Sequence, residues 1–209
     1  GRLPKALELA RCLREAGCRV VVADPHRSHL TKPSRAVART HQVRAPNTDH
    51  AGYLADIAAI CAADEIDLII PISDEALHLV DLLPDLPTGP RLFGPARDTL
   101  FGLNHKYGFA QRAAALGLPV PETAWLDSTD GVRIAIEGPY VAKPALGCSG
   151  SGVRFGEAGE PFRDHERGRG YVVQRQIDGT ELSSLTIAKD GAILGSVVYR
   201  GLVFAGSVA

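Results

Sequence analysis

Apolar residues follow two different periods along this chain, and the change between them divides it in two. In the first half, helical spacing alternates with short unbroken apolar runs. Leu7, Ala10 and Leu13 recur at helical spacing within 6–16, and Gly17 ends that helix. Residues 19–23 (RVVVA) read as a short apolar strand, followed by Asp24 and Pro25. A weaker strand is expected at 42–45. Residues 50–63 form the next helix, with Asp49 placed as its N-cap. The run DLIIP at 67–71 is a buried type of strand. A helix over 73–83, a proline-containing break at 86–90 and a last short strand at 91–94 follow. Apolar strands alternating with helices imply a parallel sheet covered on both faces. Residues 1–95 therefore read as an α/β, Rossmann-like lobe.

Beyond 95 the pattern shifts towards strands. A helix is expected over 104–116, closed by Gly117, and a strand at 123–126. From Tyr140 onward, strands are expected at 140–143, 153–155, 171–175, 182–189 and 192–199. The Asp190-Gly191 pair between the last two is a hairpin turn signal. The polar, glycine-rich stretch 156–170 reads as a mobile loop.

One stretch organises the second half: YVAKPALGCSGSGV, 140–153. An apolar strand ends in Lys143. A loop then carries Gly147, Ser149, Gly150, Ser151 and Gly152, and a returning strand begins at Val153. Glycine lets backbone N–H groups approach an anion closely, and successive inward N–H groups make an anion nest. A lysine at its base is a point charge suited to phosphate. A solvated hairpin tip has the same composition, so the stretch alone leaves both readings open.

Composition narrows the classes. The 209 residues are comfortable for two domains, and 45% are hydrophobic, as in ordinary soluble proteins. A net charge of -1 gives no electrostatic case for nucleic acid or for an anionic membrane. No apolar run is long enough to span a bilayer, and a cytoplasmic protein is expected. Cys12, Cys18, Cys61 and Cys148 lack C-x-x-C spacing and read as reduced thiols. His26 and His29 sit in a polar loop and suggest no metal site. The chain opens at the turn into a helix and contains no methionine. A trimmed chain and an uncounted methionine derivative both account for that.

Together these segments resemble the ATP-grasp superfamily, and more closely the bacterial ligases related to the carbamoyl phosphate synthase large subunit. GRLPKALELAR, VVVADPHRSHLTKPSRAV and DLIIPISDEAL are similar to the pre-ATP-grasp domain, which the resemblance sets at 1–95. Residues 96–209 resemble an incomplete α+β ATP-grasp domain. NHKYGFAQRAAALGLPVPET matches the segment carrying the family's first ATP lysine, here Lys106. YVAKPALGCSGSGV matches the second lysine strand and glycine-rich loop, here Lys143 with Gly147 to Gly152. YVVQRQIDGTELS resembles the adenosine hinge. The resemblance implies Gln174 for the adenine amino group and the Arg175 carbonyl as second acceptor. It implies the Ile177 N–H as a donor to the ring and Glu181 for the ribose hydroxyls. From local sequence, Lys106 reads equally as a solvated helix residue. Yet only five lysines stand against eighteen arginines, and two of the five fall on these positions.

The match has departures. Ser151 stands where the family often has arginine, and Gln174 replaces a common glutamate, although an amide oxygen still accepts a hydrogen bond. The cofactors implied are ATP and Mg²⁺. The acidic residue and Glu-x-Asn pair that hold the metal in relatives would lie beyond Ala209, so no metal ligand is assigned in this chain. Asp74 and Glu75 follow a strand end, where α/β proteins bind ligands, and the resemblance puts them at a substrate cleft. Ser73 and Asp74 equally suit helix capping. The implied activity is ATP-dependent ligation of a small-molecule carboxylate to an amine through an acyl phosphate. A carbamoyl-phosphate-synthase-like or carboxylase-type enzyme, a non-catalytic nucleotide-binding module and an NAD-binding domain are the alternatives. Neither the substrates nor the oligomeric state is legible.

Overall fold

The computed structural model describes residues 1–81, 90–147 and 150–201. The chain divides into two compact units, Gly1–Phe101 and Gly102–Ala209. Each mixes helices with sheet.

In the first unit, α1 (Pro4–Glu15) opens with proline, whose missing N–H falls where no helical partner exists, and buries Ala6 and Ala10. Strand β1 (Val21–Asp24) pairs in parallel with β2 (Arg39–Gln42). The latter lies three residues ahead of its expected place, because Val43 follows the strand and packs into the core. Helix α2 (His50–Ala63) begins at Asp49, whose carboxylate accepts from the Gly52 N–H at 2.8 Å, as the sequence implied. It buries Tyr53, Ile57 and Cys61, one turn apart, against Val43 and Leu79. Strand β3 (Leu68–Ile69) pairs in parallel with β4 (Arg91–Leu92). Of the helix expected over 73–83, the described part holds one turn, α3 (Ala76–Leu79). Most of the expected break at 86–90 lies outside the described residues.

The parallel pairing agrees with the sequence reading. A continuous sheet does not: β1–β2 and β3–β4 are separate pairs. A cavity of about 500 Å³ lies against both, lined by Val21, Val22 and Ala23 on one side and Leu68, Ile69 and Ile70 on the other.

Helix α4 (Arg97–Asn104) buries none of its residues, so it left no apolar pattern to read. The helix expected over 104–116 is α5 (Lys106–Ala115). His105 starts it, its Nδ1 accepting from the Gly108 N–H at 3.2 Å.

The second unit is built on a four-stranded antiparallel sheet in the order β5 (Thr123–Trp125), β8 (Tyr171–Arg175), β6 (Tyr140–Pro144), β7 (Arg154–Gly156). Helix α6 (Thr129–Glu137), which the sequence reading does not assign, covers one face. Ser128 caps it, accepting from the Gly131 N–H at 3.1 Å. Ile134 and Ala135 of α6 pack with Ala124, Tyr140, Ala142 and Val173 into the core. Alternation along each strand then sends Thr123, Trp125, Val141, Lys143, Val172 and Gln174 to the opposite face.

The stretch 156–170 is anchored, not the free loop its composition suggested. Arg154, 8% exposed, bonds both carboxylate oxygens of Glu166, 1% exposed, at 2.7 and 2.9 Å. Arg154 also reaches the Tyr140 hydroxyl at 2.9 Å and Glu160 at 3.0 Å, while that hydroxyl donates to the Glu160 carbonyl. Phe162 packs edge-on against Tyr140. Burial opposes the charge on Glu166, but Arg154 and the Arg163 N–H outweigh it and hold the carboxyl below its ordinary range. Composition alone could not show this knot, because its partners are up to 26 residues apart in the chain, from Tyr140 to Glu166.

The chain continues as a hairpin of β9 (Ser183–Lys189) and β10 (Ala192–Tyr199). Its turn has φ of 51° at Asp190 and 80° at Gly191, the double positive φ of the expected tight turn.

Candidate functional site

Two lysines meet at the exit of β6. The Lys106 N–H donates to the Ala145 carbonyl at 2.8 Å, and its ammonium donates to the Gly147 carbonyl at 2.8 Å. Residue 106 is thus fixed to the chain just before the glycine-rich loop. Lys143 lies on the strand that feeds the same loop, half-buried, with no hydrogen-bond or ion-pair partner among the described residues. Burial, and then the Lys106 charge, push the Lys143 ammonium below its ordinary value of 10.5. Two like charges held this near each other, one of them partly desolvated, make a site that gains from a polyanion.

Gly147, Gly150, Ser151 and Gly152 lie in the connection from β6 to β7; Ser149 is outside the described residues. Gly152 has no alternative: its φ is +73°, and a Cβ there would come within 2.9 Å of Pro144 Cγ and of the Tyr171 hydroxyl. The loop therefore returns tightly over the end of β6.

Gln174 shares the Lys143 face. Lys143 stands opposite Val172 and Val141 opposite Gln174, so the two side chains are diagonal neighbours across the ladder, about 7–8 Å apart at that spacing. The Gln174 amide donates to the Thr123 hydroxyl at 2.7 Å, and that hydroxyl donates to the Pro121 carbonyl at 2.8 Å. Thr123 is not singled out by the sequence reading, since it meets Gln174 only by pairing of β5 with β8. Trp125, also on this face, stacks on Tyr107 with ring centroids 5.0 Å apart and meets His105 at 5.5 Å. Those two rings flank Lys106.

The other expected residues sit as follows. The Arg175 side chain lies on the α6 face, donating to the Ile134 carbonyl at 2.8 Å, away from the face of Lys143 and Gln174. Ile177 is 68% exposed, and its N–H makes no hydrogen bond among the described residues. Glu181 is exposed, and no described contact joins it to Gln174 or to the lysines. Asp74 and Glu75 belong to the first unit. Neither Ser73 nor Asp74 caps α3 through its side chain; Glu75 instead reaches back to accept from the Ile72 N–H at 3.0 Å. Among the described residues, no group of three or more His, Cys, Asp or Glu could hold a metal ion.

Residues 103–201 match the family model of the ATP-grasp domain. No curated protein matches the chain by sequence. Among solved structures, it resembles the L-amino acid ligase of Bacillus licheniformis, with 16% identity and a TM-score of 0.70 over 95% of this chain and 49% of that one. It also resembles the N5-carboxyaminoimidazole ribonucleotide synthetase of Thermus thermophilus, with 17% identity and a TM-score of 0.69 over 96% and 52%. A biotin carboxylase from Campylobacter jejuni, solved with β-γ-ATP, gives 17% and 0.68 over 94% and 49%. These likenesses establish the fold. The chain spans about half the length of each of the three.

Proposed function

We propose that this chain carries the nucleotide-binding part of an ATP-dependent ligase that joins a small-molecule carboxylate to an amine. The observation that carries the reading is the convergence of Lys106 and Lys143 on the loop that starts at Gly147. The face that holds Lys143 also holds Gln174. Lys106 and Lys143 bind the α- and β-phosphates, and the loop from Gly147 to Gly152 covers the β/γ end. Gln174, the Arg175 carbonyl and the Ile177 N–H take the adenine edge, and Glu181 takes the ribose. Phosphoryl transfer depends on positioning and charge neutralisation, which two lysines and a cradle of N–H groups supply. Transfer of the γ-phosphoryl group to a carboxylate gives an acyl phosphate, and attack by the amine releases phosphate. The first unit serves as a Rossmann-like pre-ATP-grasp domain, with Asp74 and Glu75 as its candidate substrate-binding residues, and the protein works in the cytoplasm on small molecules. The described residues supply no metal cluster, so no step is assigned to Mg²⁺. A carboxylase-type reaction through the same site is the second reading, favoured by the likeness to biotin carboxylase and the ribonucleotide synthetase.

The test is thermal unfolding with ATP, ADP, GTP and NAD. ATP or ADP at 100 times its dissociation constant adds about 2.7 kcal/mol, while GTP and NAD add nothing comparable. An equal shift with GTP, or a shift with NAD alone, removes the reading.

A further inference from the structure

A glutamine at the base-recognition position raises a problem that a glutamate does not. A carboxylate presents an acceptor whichever way it turns. An amide presents an acceptor on one side and a donor on the other, so a flipped glutamine would greet the guanine carbonyl as readily as the adenine amino group. Whatever orients the amide of Gln174 therefore decides which base is preferred.

The structure contains such a device. The Thr123 hydroxyl has one proton, and it is committed to the Pro121 carbonyl at 2.8 Å. Toward Gln174 the hydroxyl oxygen can only accept. The Gln174 group that meets it at 2.7 Å must then be the NH₂, which leaves the amide oxygen for another donor. A flip would set the amide oxygen against the hydroxyl oxygen, with no proton between them, unless the Thr123–Pro121 bond broke. Thr123 and Gln174 stand directly opposite each other in the β5–β8 ladder, so the contact is fixed by sheet register and not by a chance rotamer. Pro121 lies two residues before Thr123, and its carbonyl completes a chain of three groups that points one way.

We propose that Thr123 is the specificity-determining residue of the base site, locking the Gln174 amide so that it accepts from adenine and refuses guanine. The proposal rests on the reading of Gln174 as the base-recognition residue. Thr123 touches no reacting atom; it is a positioning residue, acting through Gln174.

The experiment is a double-mutant cycle read as the ratio of ATP to GTP affinity, by calorimetric titration of the full chain. Thr123→Val removes the hydroxyl while keeping the β-branched shape, so Gln174 is free to turn. The ATP/GTP ratio should fall about 10-fold, within the 10- to 100-fold that one directed hydrogen-bond pattern confers on base choice. Thr123→Ser should restore it. In a Gln174→Glu background, Thr123→Val should leave the ratio within about 2-fold, because either carboxylate oxygen accepts. A merely structural role for Thr123 would lower both affinities together and would act equally in the two backgrounds; that result overturns the proposal. A second readout needs no nucleotide. In the parent protein the Gln174 side-chain NH₂ should show slowed hydrogen exchange by NMR, lost in Thr123→Val and regained in Thr123→Ser. Absence of that protection in the parent also overturns the lock. If the parent shows the protection but binds ATP and GTP equally, the base-site reading fails while the lock stands. If the parent prefers ATP and Thr123→Val prefers it as strongly, the lock fails and the reading stands.

Discussion

Lys143 and Lys106 approach one loop end from different elements, and the charge of the second helps to push the first below its ordinary titration range. Neither residue alone marks a site. A helix lysine bonded to a carbonyl is commonplace, and a half-buried strand lysine with no partner among the described residues is only costly. Placed together, they describe a site whose empty state is electrostatically unfavourable and whose occupied state relieves that cost.

The first consequence concerns affinity. Charge-assisted hydrogen bonds contribute about 1.5–3 kcal/mol, so Lys143→Ala should weaken ATP binding about 10- to 100-fold. Adenosine lacks phosphates and should bind as before. Lys189, exposed beside the Asp190-Gly191 turn, supplies the control: Lys189→Ala should change either affinity by less than about 0.5 kcal/mol. Calorimetric titration with both ligands checks it, and undiminished ATP binding by Lys143→Ala would refute the phosphate role.

The second concerns pH. Phosphate favours the charged ammonium, whereas burial and Lys106 disfavour it in the free protein. ATP affinity should therefore hold steady below the depressed Lys143 value. It should decline as pH rises through that value toward 10.5, by at most about tenfold per pH unit for one proton. Adenosine affinity should stay level over the same window. Titrations in buffers of different ionisation enthalpy would reveal the proton taken up with ATP.

The third concerns the Arg154–Glu166 knot. Glu166→Gln leaves the buried Arg154 guanidinium with only the exposed Glu160 as counter-charge, and breaking such a buried pair costs about 3–5 kcal/mol in urea unfolding. The folded-state value of Glu166 is lowered, so its contribution is present above the unfolded value near 4.5 and fades as pH falls below it. Other carboxylates, Asp24 and Asp64 among them, are lowered as well, so a midpoint that falls less between about pH 6 and pH 3 in Glu166→Gln than in the parent isolates the share of this residue.

The fourth uses the sole tryptophan. Trp125 stacks between residues that flank Lys106, on the face that carries Lys143. ATP should shift its emission and adenosine should do so less, with Lys106→Ala abolishing the difference.

Local signals in the sequence are enough for the elements that bury a regular face. Asp49 with the spaced Tyr53, Ile57 and Cys61 gives α2 its bounds, and the apolar runs in 171–175 and 192–199 give β8 and β10 theirs. Helix α4 is not legible, because it buries nothing; α6 is missed by the pattern although Ser128 and the buried Ile134 and Ala135 mark it. The order of the motifs points to a nucleotide site at Lys106, Lys143 and Gln174. Thr123 stays hidden, since its role depends on a ladder that joins it to Gln174 across 51 residues. The anchoring of 156–170 is hidden for the same reason: polar residues read as solvent-facing unless their partners are known.

Alternation along β6 also bears on how this protein can change length. Tyr140 and Ala142 are fully buried on one side, while Val141 and Lys143 face the other. One inserted residue ahead of Lys143 would turn the ammonium into the α6 core and bring an apolar side chain to the proposed phosphate position. The connection between Pro144 and Arg154 has no such parity, and lengthening a loop costs only about 0.6 kcal/mol per doubling. Among sequences sharing this site, insertions and deletions should gather between Pro144 and Gly152, while the spacing from Tyr140 to Lys143 stays constant.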